Sequence, residues 1–156
     1  MPKALTKFFA PKSKEQAVSA HFLGEAYFIA TEYGSDRSDP CYVVGPVIHV
    51  ARPADPAELG NAASRGLDQC RYDFDAPKNR EHWKTVKFPL LEATRLKTWA
   101  AVAKHSNSLT VRRLGAVVTV LPCYREKQGF HPLMDRLVSL DAPERSGARA
   151  ASYGGA

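Results

Sequence analysis

Long apolar runs are missing from this 156-residue sequence, which has no stretch of the roughly 18 to 20 apolar residues that a membrane-spanning helix needs. The first residues also lack the apolar core of a secretion signal, because lysines flank the short apolar stretch Phe8-Phe9-Ala10. We therefore expect a cytoplasmic protein that has no membrane partner.

Cysteine is scarce, and the three cysteines, Cys41, Cys70 and Cys123, are far apart in the sequence. An odd number of widely spaced cysteines without a Cys-x-x-Cys pair indicates neither a disulfide framework nor a thiolate zinc site. We interpret all three as small, buried apolar side chains.

The common local motifs of catalysis are absent as well. There is no Gly-x-x-x-x-Gly-Lys-Ser/Thr loop, no Gly-x-Gly-x-x-Gly, no Gly-x-Ser-x-Gly elbow and no His-Glu-x-x-His pair. We interpret His49, in an apolar stretch, as a structural residue, which leaves His82, beside Glu81 and Trp83, as the best candidate for a general base. One carboxylate does not make a site, so we expect no catalytic residue, no metal site and no cofactor.

Positive charge is concentrated near the two ends of the sequence. The net charge is +6, of which residues 1–19 contribute +3, residues 20–141 contribute +2 and residues 142–156 contribute +1. The first segment is rich in Lys, and the last combines Pro, Ser and Gly, a composition that cannot bury enough apolar surface to fold. We predict a flexible basic arm over residues 1–19, one globular domain over 20–141 and a disordered tail over 142–156.

The sequence of residues 20–141 predicts a single α/β domain of the α+β type, with a twisted, mostly antiparallel sheet. Ala26–Thr31 is β-branched and aromatic and predicts a strand, which the polar residues 34–40 end. Residues 42–44 and 47–51 predict a second strand that Gly45-Pro46 bends. Residues 108–121 predict a β-hairpin that turns at Leu114-Gly115 and that Pro122 ends, while the segment 130–140 fits either an edge strand or a short helix.

One amphipathic helix is predicted over residues 55–70, where Asp55 is suited to the N-cap, Pro56 to the first turn and Glu58 to a capping box. The small and apolar residues that follow fall on one helical face: Leu59, Ala62, Ala63, Gly66, Leu67 and Cys70. Residues 71–87 predict a long polar loop with aromatic attachment points. Short helices are predicted within residues 89–105.

Two of the predicted loops carry carboxylates, and in the second loop these alternate with the aromatic rings of Tyr72 and Phe74. Residues that we expect to bind a partner lie in or beside these loops: Glu32, Asp36, Asp39, Tyr72, Asp73 and Asp75. Such a surface suits a partner with a cationic cleft, because the charges steer the encounter and the rings anchor the complex. An ordinary solvated loop is the alternative for each single residue.

A nucleic-acid-binding module is the alternative function. It would use a basic stripe consisting of Lys3, Lys7, Arg112, Arg113, Arg125 and Lys127, with Tyr124 available to stack on a base. We favour solvated charges on a sheet face, because no helix presents a basic face and no RNA-binding signature is present. Direct binding of nucleic acid is therefore not expected.

The order of these segments resembles the immunity proteins of bacterial contact-dependent growth inhibition systems over about residues 42–140. The matching segments are Val47-Ile48-His49-Val50, Asp55-x-x-Glu58-Leu59-Gly60-x-Ala62, Trp83, Pro89-Leu90-Leu91, Leu96-Lys97-Thr98-Trp99, the hairpin 109–121 and Gly129-Phe130-His131-Pro132-Leu133. The net positive charge of this sequence differs from the acidic character of many nuclease inhibitors of this kind.

The resemblance implies a non-enzymatic cytoplasmic antidote. Such a protein binds the C-terminal toxin domain of its cognate effector, often a nuclease, and covers the active site. The segments that carry the resemblance are mainly packing and turn residues, so it implies no particular toxin-binding residue.

Overall fold

The computed structural model describes residues 14–36, 38–126 and 129–141. The strands are β1 (Gln16–Leu23), β2 (Ala26–Glu32), β3 (Val47–Ala51), β4 (Asn107–Leu114), β5 (Val117–Glu126), β6 (Gly129–Pro132) and β7 (Val138–Asp141). The helices are α1 (Pro56–Asp68), α2 (Arg80–Trp83), α3 (Pro89–Thr94) and α4 (Trp99–His105), and Met134–Arg136 form one turn of 3₁₀ helix. No helix in these ranges is both long and apolar enough to cross a membrane.

The seven strands form one sheet in the order β3-β2-β1-β4-β5-β6, in which β7 also pairs with β5. All of the pairings between these strands are antiparallel. Strand β5 has two partners on one edge, because β7 pairs with Val117–Val120 and β6 pairs with Cys123–Glu126. The prediction of an α+β domain with a mostly antiparallel sheet is confirmed.

Helix α1 covers one face of the sheet and confirms the predicted amphipathic helix. Asp55 is its N-cap and accepts a hydrogen bond of 2.8 Å from the backbone N–H of Glu58. Gly66 lets the helix approach closely, and the hydroxyl of Thr31 in β2 donates to the Gly66 carbonyl at 3.1 Å. The core between helix and sheet consists of Val18, Ile29, Val50, Ala62, Leu67 and Val111.

Helices α3 and α4 cover part of the opposite face. Phe28 and Ala30 of β2 point to this face, because side chains alternate along a strand, and they pack with Leu90 of α3 and Val102 of α4. Thr98 is the N-cap of α4 and accepts a hydrogen bond from the N–H of Ala101 at 3.1 Å. The short helices predicted within residues 89–105 are present.

Strand β1 begins inside the segment that was predicted to be a flexible arm. Gln16–Leu23 pair with both β2 and β4, and Ala17 and Val18 are fully buried. The segments 1–13 and 142–156 lie outside the described residues.

Two strand boundaries differ from the predictions. Residues 42–44 do not continue β3, and Tyr42 makes only an isolated bridge to Tyr33. Pro122 does not end β5, which continues to Glu126. The Pro122 carbonyl accepts from the N–H of Leu133 on the outer edge, so its missing N–H faces the same edge and removes no bond to β4.

The interpretation of the cysteines as buried is wrong for Cys41, which is exposed, while Cys70 and Cys123 are only partly buried. Cys41 follows Pro40 in the loop between β2 and β3. The Cys70 sulfur lies 3.2 Å from both the amide nitrogen and the carbonyl oxygen of Ala17. The segment 130–140, whose sequence fits either an edge strand or a short helix, lies in β6, the 3₁₀ turn and β7.

Candidate functional site

The structure brings the two predicted partner-binding loops together. The N–H of Gly34 donates to the Arg71 carbonyl at 2.8 Å, and the N–H of Phe74 donates to the Gly34 carbonyl at 3.2 Å. The rings of Tyr42 and Phe74 are in contact, with centroids 4.9 Å apart. A side chain at position 34 would collide with the Ser38 carbonyl, because a Cβ there would lie 2.7 Å from its oxygen. The same Cβ would lie 3.1 Å from a ring carbon of Tyr72 in the second loop, so glycine at position 34 lets the loops meet.

Four of the six predicted partner-binding residues are exposed on these adjoining loops: Asp36, Asp39, Asp73 and Asp75. Asp73 forms an ion pair of 2.6 Å with Arg71, and this hydrogen bond lowers the pKa of its carboxyl. Tyr72 is half-buried; its hydroxyl donates to the Glu15 carbonyl, and its ring lies under the Lys14 ammonium at 4.6 Å. Tyr72 thus attaches the second loop to the start of β1.

The sixth predicted residue, Glu32, does not belong to an exposed loop surface. It is the last residue of β2, it pairs with Ala17 of β1, and only 7% of it is exposed. Burial raises the pKa of its carboxyl to about 7, while Arg112 opposes and Glu15 reinforces this effect. The interpretation of Glu32 as part of the exposed acidic loop is wrong, because β2 extends one residue beyond the apolar stretch and pairs with a strand that was not predicted. Its role in partner binding stays a prediction.

Glu32 lines a cavity of about 310 Å³ on the face of the sheet opposite α1, which we call the sheet cavity. Its polar lining consists of Ser19, His21, Glu32, Ser108, Thr110 and Arg112. The remaining lining residues are Cys41, Val43, Trp99, Leu121, Cys123, Phe130 and Pro132. The strand register explains the polar lining, because Thr110 and Ser108 of β4 lie beside Ser19 and His21 of β1.

His21 and Ser19 are the most unusual residues of the sheet cavity. His21 is 4% exposed, and burial lowers its pKa to about 4, so its ring is neutral at physiological pH. The ring of Phe130 meets it edge-on at 5.4 Å. Both ring nitrogens of His21 and the hydroxyl of Ser19 lack a hydrogen-bond partner among the described residues. Such groups are uncommon in folded proteins and indicate bound water or a ligand.

An aromatic groove of about 450 Å³ adjoins the sheet cavity. Its lining residues are Cys41, Tyr42, Val43, Trp83, Phe88 and Trp99. The rings are in continuous contact, since Trp83 stacks on Phe88 at 6.4 Å and Phe88 meets Trp99 edge-on at 5.3 Å. Cys41, Val43 and Trp99 line both spaces, so the groove and the cavity share a wall.

The basic residues of the alternative function do not form one stripe within the described part of the chain. Arg112 faces the sheet cavity and pairs with Glu15, whereas Arg113 bonds Gln16 and, at 2.6 Å, Asp68. The two arginines are consecutive in a strand and point to opposite faces. Arg125 donates to the Lys104 carbonyl and to the Asn107 side chain. Lys3, Lys7 and Lys127 lie outside the described residues.

His82 does not pair with the neighbouring carboxylate. It is exposed in α2, and Glu81 pairs with Lys84 at 2.7 Å instead. His49 is exposed on β3, where its ring contacts Phe28 at 5.2 Å. Among residues 14–36, 38–126 and 129–141, no three His, Cys, Asp or Glu side chains are grouped so that they could hold a metal ion.

The sequence predictions missed the sheet cavity because they assigned the first half of β1 to a flexible arm. A usable signal was present: the apolar residues Val18 and Ala20 alternate with the polar residues Ser19 and His21. That alternation predicts a strand with one apolar face and one polar face. The sequence gives no direct signal that this polar face meets Glu32 and Arg112.

No protein-family model matches the sequence, and the search of curated proteins found no significant match. Two solved structures share the fold over most of the chain. A protein of unknown function from Neisseria meningitidis has a TM-score of 0.61 at 19% identity, covering 89% of this chain and 93% of that one. A chain of the CdiA-CT/CdiI toxin and immunity complex from Yersinia pseudotuberculosis has a TM-score of 0.60 at 16% identity, covering 83% and 88% respectively. At these identities the similarity concerns the fold.

Proposed function

We propose that this protein is a cytoplasmic immunity protein, which binds the C-terminal toxin domain of a contact-dependent growth inhibition effector and covers its active site. The observation that carries the proposal is the fold shared with a chain of a toxin and immunity complex over 83% of the present chain. The segments between residues 42 and 140 that resemble such immunity proteins also support it.

The adjoining acidic loops are the proposed interface. Asp36, Asp39 and Asp75 expose carboxylates, and the half-buried rings of Tyr42 and Phe74 lie beside them. A nuclease binds a polyanion and presents a cationic cleft, so exposed carboxylates speed the encounter and aromatic rings stabilise the complex. In this proposal the protein acts by steric exclusion and needs no catalysis of its own.

Co-expression with the domain encoded immediately upstream tests the proposal. Cells that express this domain should die unless the present protein is co-expressed, and the two proteins should co-purify as a one-to-one complex. An unrelated immunity protein serves as the control and should not rescue growth. Death of the co-expressing cells, with no complex formed, would contradict the proposal.

Expression of the chain alone is the second arm of the test, because the Yersinia complex contains both a toxin and an immunity protein. An immunity protein leaves growth unchanged when it is produced by itself. Growth arrest by the isolated chain would instead assign it to the toxin side of such a pair.

A further inference from the structure

The sheet cavity contains polar groups that the protein itself does not satisfy. Ser19 is 6% and His21 is 4% exposed, and the Ser19 hydroxyl and both His21 ring nitrogens have no partner among the described residues. Both side chains line the same cavity from alternate positions of β1. A buried polar group without a partner destabilises a fold, so two in one cavity indicate that something else binds there.

The charges of the cavity define what it can bind. Arg112 lines the cavity, but its guanidinium pairs with Glu15 outside the lining. His21 is neutral, and burial raises the pKa of Glu32 in spite of the nearby Arg112. The charged groups Glu15, Glu32 and Arg112 therefore leave one negative charge in excess when Glu32 is ionised. A single cation balances this charge.

The shape of the cavity favours a flat cation on a short apolar stem. Trp99 and Phe130 supply aromatic walls, and Leu121 and Val43 supply aliphatic ones. A guanidinium suits such a site better than an ammonium, because it is planar, weakly hydrated and able to stack on rings while it donates to a carboxylate. The volume of about 310 Å³ holds on the order of ten non-hydrogen atoms.

Two polar residues, Glu32 and His21, lie at opposite ends of the sheet cavity. Glu32 lies beside Ala17, and His21 lies four residues further along β1, so their backbone positions are about 14 Å apart along the strand at roughly 3.4 Å per residue. One guanidinium cannot reach both ends. A molecule that contacts both therefore carries a second hydrogen-bonding group beyond its stem.

We propose that the sheet cavity binds a guanidinium group on a short aliphatic stem that ends in a hydrogen-bonding group. The guanidinium donates to Glu32, the stem lies against Trp99 and Leu121, and the terminal group bonds to His21. This chemistry occurs in free guanidino compounds and in an arginine residue of a bound protein. The site is independent of the proposed immunity function, because the isolated protein carries every group that forms it.

Titration of the isolated protein by calorimetry and NMR tests the site, with 4-guanidinobutan-1-ol as the probe. Saturable binding that shifts the ring resonances of His21 and Trp99 is expected. The neutral analogue 4-ureidobutan-1-ol should bind at least tenfold more weakly, and butylguanidinium, which lacks the hydroxyl, should bind several-fold more weakly. These comparisons use the unmodified protein and do not depend on whether a variant folds. Equal affinity for the ureido compound, or no saturable binding at millimolar concentrations, overturns the proposal.

Glu32→Gln tests the carboxylate directly and should weaken probe binding at least tenfold. Glu25→Gln is the matched control, because Glu25 is exposed in the turn between β1 and β2 and does not line the cavity. It should change the affinity less than twofold. Unchanged affinity in Glu32→Gln contradicts the proposed contact.

The complex with the upstream toxin domain distinguishes the two sources of the guanidinium. If an arginine of the partner fills the cavity, the complex no longer binds the probe, and Glu32→Gln weakens the complex. If the ligand is a free compound, the complex still binds the probe with the same preference over the ureido analogue. Failure to form any complex would count against the immunity function and leave the titration of the isolated protein valid.

Discussion

The two faces of the sheet differ in polarity although the same strands form both. Toward α1, β1 presents Val18 to a core of aliphatic side chains. Toward the sheet cavity, the next residue, Ser19, presents a buried hydroxyl that has no partner among the described residues. On the α1 side, β1 contributes to the core that folding requires. On the other side, the unpartnered groups of Ser19 and His21 reduce stability, and the proposed ligand would account for them. Predictions about single residues can separate these two roles.

The largest expected effect is the pH dependence of stability that Glu32 contributes. Its folded pKa of about 7 lies above the ordinary value of 4.5, so the folded state binds more protons and loses stability as pH rises from 4.5 to 7. A shift of this size corresponds to about 3 kcal/mol over that range. Denaturant unfolding at several pH values measures this effect. From pH 4.5 to pH 7, the free energy of unfolding of Glu32→Gln should increase by about this amount relative to that of the unmodified protein.

His21 has the opposite effect on the unmodified protein. Its folded pKa of about 4 lies below the ordinary 6.5, so its contribution rises as pH increases from 4 to 6.5 and partly cancels that of Glu32. The ionisable groups that line the cavity of Glu32 or interact with it electrostatically are Glu15, His21, Cys41, Cys70, Arg112 and Cys123. The decisive quantity is thus the difference in unfolding free energy between Glu32→Gln and the unmodified protein. If this difference stays constant with pH, the result contradicts a buried Glu32 carboxyl with a raised pKa.

Adjacent substitutions in β1 compare the two faces most directly. Val18→Ala removes two fully buried methyl groups from the α1 side and should lower the free energy of unfolding by about 2 kcal/mol. Ser19→Ala removes an unpartnered hydroxyl and should leave stability unchanged or raise it by up to about 1 kcal/mol. Chemical denaturation of both variants measures the contrast. A loss in Ser19→Ala as large as that in Val18→Ala would mean that the hydroxyl is structurally bonded.

Two glycines of α1 provide a second comparison, with a smaller effect. A Cβ at Gly66 would lie 2.8 Å from a methyl carbon of buried Val18, so Gly66→Ala should destabilise the protein by about 1 kcal/mol. A Cβ at Gly60 meets nothing within 4 Å, so Gly60→Ala should stabilise by about 0.5 to 1 kcal/mol through helix propensity. Equal effects of the two substitutions on the unfolding free energy would contradict the close packing of α1 on β1.

The α1 side was predictable from sequence because its signals are local. Asp55, Pro56 and the apolar period define the helix within sixteen residues, and β2 is a continuous apolar stretch. The cavity side was not predictable in the same way. It depends on the pairing of β1 with β4, which brings Ser19 beside Thr110 and Ala17 beside Arg112 from more than ninety residues away. Sequence alone placed Glu32 with the acidic loop that follows it, whereas strand pairing places it in the cavity.

The acidic loops should show the smallest effect on stability and a large effect on binding. A variant replaces four exposed carboxylates with alanine: Asp36, Asp39, Asp73 and Asp75. Its thermal midpoint should hardly change, because exposed side chains contribute little to folding, while affinity for the toxin domain should fall at least tenfold. The control variant removes the same charge from exposed sites elsewhere: Glu25, Glu92, Asp135 and Asp141. Equal losses of affinity in both variants would show that net charge, rather than the two adjoining loops, attracts the partner.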